Sequence, residues 1–364
     1  MSAAKYLILA LCWFFVFFLL IHELTQAQPT LSGIEDPTAV LPIQPLPFPA
    51  LNTAVFDPVF GTSLRRVTDR RQNGDFGTQT YSQLQAISPD NRYILLIEDG
   101  GYLVRHFDTL ALQPLPTGNW NTIRWHPTEP HTLVHFDGND NNVLVFQQTN
   151  VETGQTETLF TFPTAYRTII GSRSYEEMSR DGRWLAGYAQ LVDGSRSIFT
   201  LDLENGRFGA ELPLDMLYST DCAPDPDWGN VEMDWVGVSP LGNYLVVQWV
   251  RDGTARCSGT ETYDIATGAY VGHVNDRHDH SDLGVDTDGS EFLMTFAVES
   301  PSGSGNPSIV KRALPGPATG VAPKTYLTEI DWGQAGAHIS CQGVAGVCVV
   351  STGKSLATDN WRQH

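Results

Sequence analysis

Basic residues are scarce in this chain: 22 Lys and Arg stand against 41 Asp and Glu, for a formal net charge of −19. A surface this acidic repels nucleic acid and anionic lipid, and neither is expected as a partner. The sole basic cluster, Arg65, Arg66, Arg70 and Arg71, reads as a solvated strand edge. Gly-x-Ser-x-Gly, the phosphate-binding P-loop and the dinucleotide glycine fingerprint are all missing. Helical periodicity is missing too between the turns described below. Long apolar runs are confined to Tyr6–Ile21, which follows Lys5. At about sixteen residues that run is short for a spanning helix and normal for an export signal. Thr25-Gln26-Ala27 supplies small residues for a cut after Ala27, and no cysteine ends the block, which argues against a lipoprotein. Residues 1–27 are expected to be a signal peptide, with an uncleaved anchor as the alternative. The product is then secreted or periplasmic.

Four cysteines remain after such a cut: Cys222, Cys257, Cys341 and Cys348. An even number in an exported chain favours disulfides, and the pairing expected is Cys222–Cys257 and Cys341–Cys348. A zinc site of Cys341, Cys348 and His338 is the rival, although its spacing matches no standard finger.

What is present is a repeated turn. Ser179-Arg180-Asp181-Gly182 runs into Arg183-Trp184-Leu185-Ala186. Related copies begin at Ser88-Pro89-Asp90, Ser239-Pro240-Leu241-Gly242 and Asp286-Thr287-Asp288-Gly289, with weaker ones at His126-Pro127 and Ser340-Cys341. Asp-Gly and Pro-Asp give hairpin backbone angles, and the β-branched or aromatic run after each pairs as a strand. Recurrence every ~40–60 residues is the mark of propeller blades. The fold expected is all-β, a β-propeller of seven blades with six as the alternative, its ring incomplete at the carboxyl terminus. Residues 28–54, rich in proline, read as an extended linker, and 55–364 as the propeller. Leu64-Arg65-Arg66-Val67-Thr68 is expected to complete a blade begun by carboxyl-terminal strands. A monomer is expected.

In a propeller the residues just before each inner strand converge on one axial mouth. Here these are Gln83, Gln85, Arg124, Glu176, Glu177, Glu232, Asp234, His280, Asp282 and His338. The densest chemistry lies in Gly272–Asp282, with His273, His278 and His280 among three aspartates, ligand types suited to a divalent metal such as Mn, Zn or Ca. His338 could complete such a set with Asp282, Gln334 or Glu176. A metal-free polar site and a merely solvated loop are the other readings. Asp137-Gly138-Asn139-Asp140-Asn141-Asn142 is oxygen-rich but lacks the spacing of an EF-hand. Arg173 and Tyr175 precede the third inner strand, where Tyr175 could serve as an acid.

From Phe56 onward, the Ser-Pro-Asp-Gly-like turn followed by an aromatic and an apolar run resembles exported bacterial propellers of the WD40-like, TolB-type class. More distantly it resembles the seven-bladed oligogalacturonate and ulvan lyases. That resemblance implies manganese held by three histidines and a glutamine. His280 (or His273) matches the first ligand, and Gln334 with His338 the next two; Ser340 stands where a last histidine belongs, and Gln334 is one residue too far from His338. The implied reaction is β-elimination on a uronate glycan, with Tyr175, Arg173 or His278 as base or acid. The competing expectation is a non-catalytic propeller that binds an acidic glycan, a peptide or an envelope protein.

Overall fold

The computed structural model describes residues 45–59, 61–69, 77–115, 121–138, 143–174, 176–227, 229–330, 332 and 338–351. The chain divides into two compact units. The described part of the smaller unit centres on a hairpin of β1 (Ala54–Asp57) and β2 (Thr62–Arg65). The larger unit holds the blades.

The first blade is three-stranded: β3 (Gly77–Gln79), β4 (Tyr93–Glu98) and β5 (Gly101–His106), lengthened by single bridges at Ile87–Ile94 and Arg105–Leu112. Four four-stranded antiparallel sheets follow, each in simple sequential order. They are β6 (Asn121–Trp125) to β9 (Thr156–Thr161), and β10 (Tyr166–Ile169) to β13 (Arg207–Pro213). Next come β14 (Met233–Val238) to β17 (Tyr270–Asn275), and β18 (Ser281–Val285) to β21 (Thr325–Glu329). A short helix, α1 (Leu214–Thr220), leaves the third blade. A pair of two-residue strands, β22 (Ile339–Ser340) and β23 (Val349–Val350), ends the described chain.

The propeller expected from the repeats is therefore present, but with five blades among the described residues rather than seven or six, and its ring is not closed. Turn spacing marks where blades begin but does not reveal whether the last one acquires its outer strands. The closure expected of Leu64–Thr68 is not made. β2 pairs with β1, Arg66 makes a parallel bridge to Leu51, and among the described residues no amino-terminal strand joins β22–β23.

Why these segments form blades is legible in their burial. β11 (Trp184–Leu191), β14, β18 and β19 (Glu291–Ala297) are buried almost throughout, because each sheet is covered on both faces by its neighbours. The apolar clusters lie between blades. Tyr93, Leu95 and Val104 meet Ile123, Trp125 and Leu133 between the first two. Phe136, Phe146 and Phe162 meet Leu185, Phe199 and Leu201 between the next two. Each such side chain removed from water contributes about 1.5–3 kcal/mol. The last cluster joins Phe292, Met294 and Phe296 to Ile339 and Cys341, so β22 packs as the start of a further blade.

Two copies of the repeated turn close on themselves in the same way. Ser88 Oγ donates to Asp90 (2.6 Å) and accepts from the Tyr93 amide (3.0 Å). Ser179 does the same with Asp181 (2.6 Å) and Trp184 (2.8 Å). The residue after the acidic position has positive φ, 60° at Asn91 and 77° at Gly182, which favours Gly or Asn there. A Cβ at Gly182 would lie 2.6 Å from the His126 ring, so the second blade's histidine fills the space under the third blade's turn.

Candidate functional site at the axial mouth

Each inner strand carries its first residues to one face, and a polar network runs round that face from blade to blade. Arg173, in a 3-10 turn after β10, donates through Nη1 to Asp234 Oδ1 (3.1 Å) and to the Asp234 carbonyl (3.2 Å). Gln248, on β15 (Tyr244–Trp249), donates through Nε2 to Asp234 Oδ2 (2.8 Å) and to the Asp279 carbonyl (3.1 Å). Its Oε1 accepts from Ser281 Oγ (3.1 Å). The Asp279 carboxylate caps the His280 amide (2.8 Å), and burial raises its pKa. His280 then faces His338 with ring centroids 4.5 Å apart, and the Tyr81 ring meets His338 edge-on at 5.2 Å. Two imidazoles from sheets far apart in sequence and a phenol of the first blade thus share one rim. Burial and the charge of His280 lower the His338 pKa below the ordinary 6.5, which favours its neutral, proton-accepting form.

Below the rim the channel is lined by buried carboxyls. Asp282 accepts from the amides of Cys341 (2.5 Å) and Leu283 (2.8 Å) and from Gln342 Nε2 (3.2 Å). Burial pushes its pKa up to about 8. Glu176 accepts from Gln83 Nε2, and burial together with the charges of Asp282 and Glu177 holds its carboxyl well above the usual range. Glu177 accepts from the Gln85 amide and is pushed up to about 7 by burial. Arg124 spans the same layer, donating to the carbonyls of Glu176 and Ser174, the latter at 2.7 Å, and burial lowers its pKa to about 10. Gly237 is what admits Glu176, since a Cβ there would lie 2.5 Å from the glutamate's own Cβ and Cγ.

Most of the residues expected at the mouth are therefore gathered there, and a few are placed elsewhere. Glu232 pairs with Arg196 at 2.7 and 2.9 Å, away from the histidine pair. His273 is buried in β17, its Nε2 against the Asn275 carbonyl at 2.8 Å. His278 turns outward, its Nδ1 2.7 Å from Asp252 Oδ1. Tyr175 and Gln334 lie outside the described residues, as do 139–142 of the oxygen-rich turn. Both cysteine pairs are bonded, Cys222 to Cys257 and Cys341 to Cys348. No helix among the described residues is long and apolar enough to cross a membrane.

A metal centre is not assembled among the described residues. Among the described residues no group of three His, Cys, Asp or Glu side chains could hold an ion. Of the groups expected to join His280 and His338, Gln334 lies outside the described residues and the Asp282 oxygens are occupied by three protein donors. Two residues carry no role in the sequence reading, Tyr81 at the rim and Arg180 at the far end of its inner strand, in the turn. Tyr81 carries no sequence signal, because it lies in the irregular stretch between β3 and β4. Arg180 does carry one, since it stands where two other copies of the turn have Pro89 and Pro240.

No family model matches the chain, and no curated protein matches it. Among solved structures it is similar to an oligogalacturonate lyase in complex with manganese, at 11% identity and a TM-score of 0.53 over 79% of this chain and 74% of that one. It is also similar to the oligogalacturonate lyase of Vibrio parahaemolyticus, at 10% identity and a TM-score of 0.50 over the same shares, 79% and 74%. TolB from Acinetobacter baumannii matches at 15% identity and a TM-score of 0.35, over 73% of this chain and 59% of that one. The likeness expected from the repeated turn is thus found in the fold: the chain is an all-β β-propeller similar in architecture to the oligogalacturonate lyases.

Proposed function

We propose that this propeller is an exported, uronate-directed lyase acting by β-elimination at the axial mouth. The observation that carries the reading is the His280–His338 pair with Tyr81 beside it. β-Elimination needs a base for the C5 proton and an acid for the departing O4. A neutral imidazole of the pair takes the proton, the C5–H electrons form the C4–C5 double bond, and the C4–O bond breaks. The Tyr81 hydroxyl returns a proton to the leaving oxygen. Arg173, about one-third exposed on the same rim, has further N–H groups with which to meet the uronate carboxylate. No step is assigned to a metal, because the described residues do not form a site for one.

The test is to incubate the protein with oligogalacturonate, polygalacturonate and ulvan while following ultraviolet absorbance of the unsaturated product. Activity on one of them is expected. Replacing both histidines (His280→Ala with His338→Ala) should lower the rate at least a hundredfold, in line with the usual weight of general base catalysis. The melting temperature should hold, since both side chains lie at the rim. The acid limb of the pH profile should fall below 6.5, following the lowered His338 pKa. Absence of product from every uronate would overturn the proposal. A second reading, glycan binding without turnover, is favoured by one observation: Asp234 and Asp279, the rim carboxylates, are already engaged by protein donors. Saturable glycan binding without product would establish it.

A further inference from the structure

The inner strands end on the opposite face from the mouth, and there the turns of several blades surround a second cavity of about 340 Å³. Gln342 and Gly343 on its wall lie four and five residues beyond His338, on the order of 13–17 Å of extended chain away from the rim. One wall is apolar: Ile87, Pro89, Trp125, Pro127 and Met178. The other is lined by Gln85, Glu177, Gln342 and Arg180.

Arg180 is the anomaly. Its Nε and Nη2 are buried with no hydrogen-bond partner among the described residues. The two carboxylates whose charge reaches it, Asp282 and Glu291, are already filled. Asp282 holds the three donors described above, and Glu291 accepts from the Leu241 amide (2.6 Å) and Asn243 Nδ2 (2.8 Å). Leaving buried donors unmet is destabilising, because their hydration is lost and nothing replaces it. The Nε–Nη2 edge is the one that grips a planar carboxylate with two parallel bonds. Arg183, three residues on, uses that edge on Asp202, with Nε to Oδ1 at 3.0 Å and Nη2 to Oδ2 at 2.9 Å.

We infer that the turn-face cavity is a binding site for a small carboxylic acid with an apolar body. The Arg180 edge swings to the ligand carboxylate, and the body lies against the wall of Trp125 and Met178. Glu177, protonated below its pKa of about 7, faces the ligand without repelling it. The site shares Glu177 and Gln342 with the channel below the mouth but not the His280–His338 pair on which the activity proposed there rests.

Benzoate serves as the probe and benzamide as its uncharged counterpart, both titrated calorimetrically or by ligand-observed NMR. Benzoate should bind at least tenfold more tightly than benzamide. Arg180→Met should weaken benzoate tenfold or more without lowering the melting temperature, because it removes two unmet buried donors. Gly343→Phe gives an independent check. A Cβ at Gly343 meets nothing within 4 Å, so a bulky ring is tolerated on the cavity wall, and it should weaken or abolish binding. The doubly substituted mouth (His280→Ala with His338→Ala) should bind benzoate as the native chain does. Equal affinity for benzoate and benzamide, no binding of either, binding that survives Arg180→Met, or a large loss of stability in that variant would each overturn the inference.

Discussion

Glu177 shows how single residues here couple burial to pH. Its carboxyl titrates near 7 in the folded chain against 4.5 for a free glutamate, because burial disfavours its charged form. Between those values the folded state holds a proton that the unfolded state has released, so stability falls as pH rises through this window. Asp282, with a pKa of about 8, extends the same fall upward. The protein is therefore expected to melt at a higher temperature at pH 5 than at pH 8.5, and Glu177→Gln should flatten that slope by about one proton. An unchanged slope in scanning calorimetry would count against the buried-acid account. Asp202 has the opposite sign. Arg183 holds its pKa down to about 2, so the stability it contributes is present above 3.8 and lost as pH falls through 2. Asp202→Asn should remove that acid limb.

The element that organises the molecule is the Ser–x–Asp–Gly turn, and its hydroxyl is more than decoration. Ser179 both donates to Asp181 and accepts from Trp184, so Ser179→Ala should destabilise the chain by about 1–2 kcal/mol in denaturant titration. Gly182→Ala should do at least as much. Its φ of 77° disfavours a side chain, and the new methyl would press on the His126 ring of the preceding blade. A turn that touches the neighbouring blade also helps set the angle between blades, and hence which residues reach the mouth.

At the scale of the whole molecule, blades contact mainly their neighbours, and the two disulfides act on loops of different length. Cys222–Cys257 spans 35 residues and Cys341–Cys348 spans 7. Chain entropy then predicts that replacing the first pair with alanine costs about 3–4 kcal/mol and replacing the second about 2. Paired denaturation curves of the two double variants would show whether that order holds. The first pair also anchors the loop after α1 to the fourth blade, beside the buried Glu261, which gathers Trp249 Nε1 (3.0 Å), Tyr263 Oη (2.7 Å) and Arg256 Nε (3.0 Å).

The sequence by itself determined the strand-and-turn grammar, because Asp-Gly, Pro-Asp and the aromatic run after them are local rules of backbone angle and side-chain packing. From the repeat alone it also followed that Gln83, Arg124, Glu176, Asp234, His280 and His338 would gather about one axis. Only the tertiary structure decided how many blades form, since blade completion depends on strands that no turn announces. Only it turned His278 out to Asp252, buried His273 in an outer strand and gave the Asp282 oxygens to the Cys341 and Leu283 amides and Gln342. Those outcomes depend on hydrogen bonds between residues up to some sixty positions apart, and residue order along a chain does not reveal which donor arrives first.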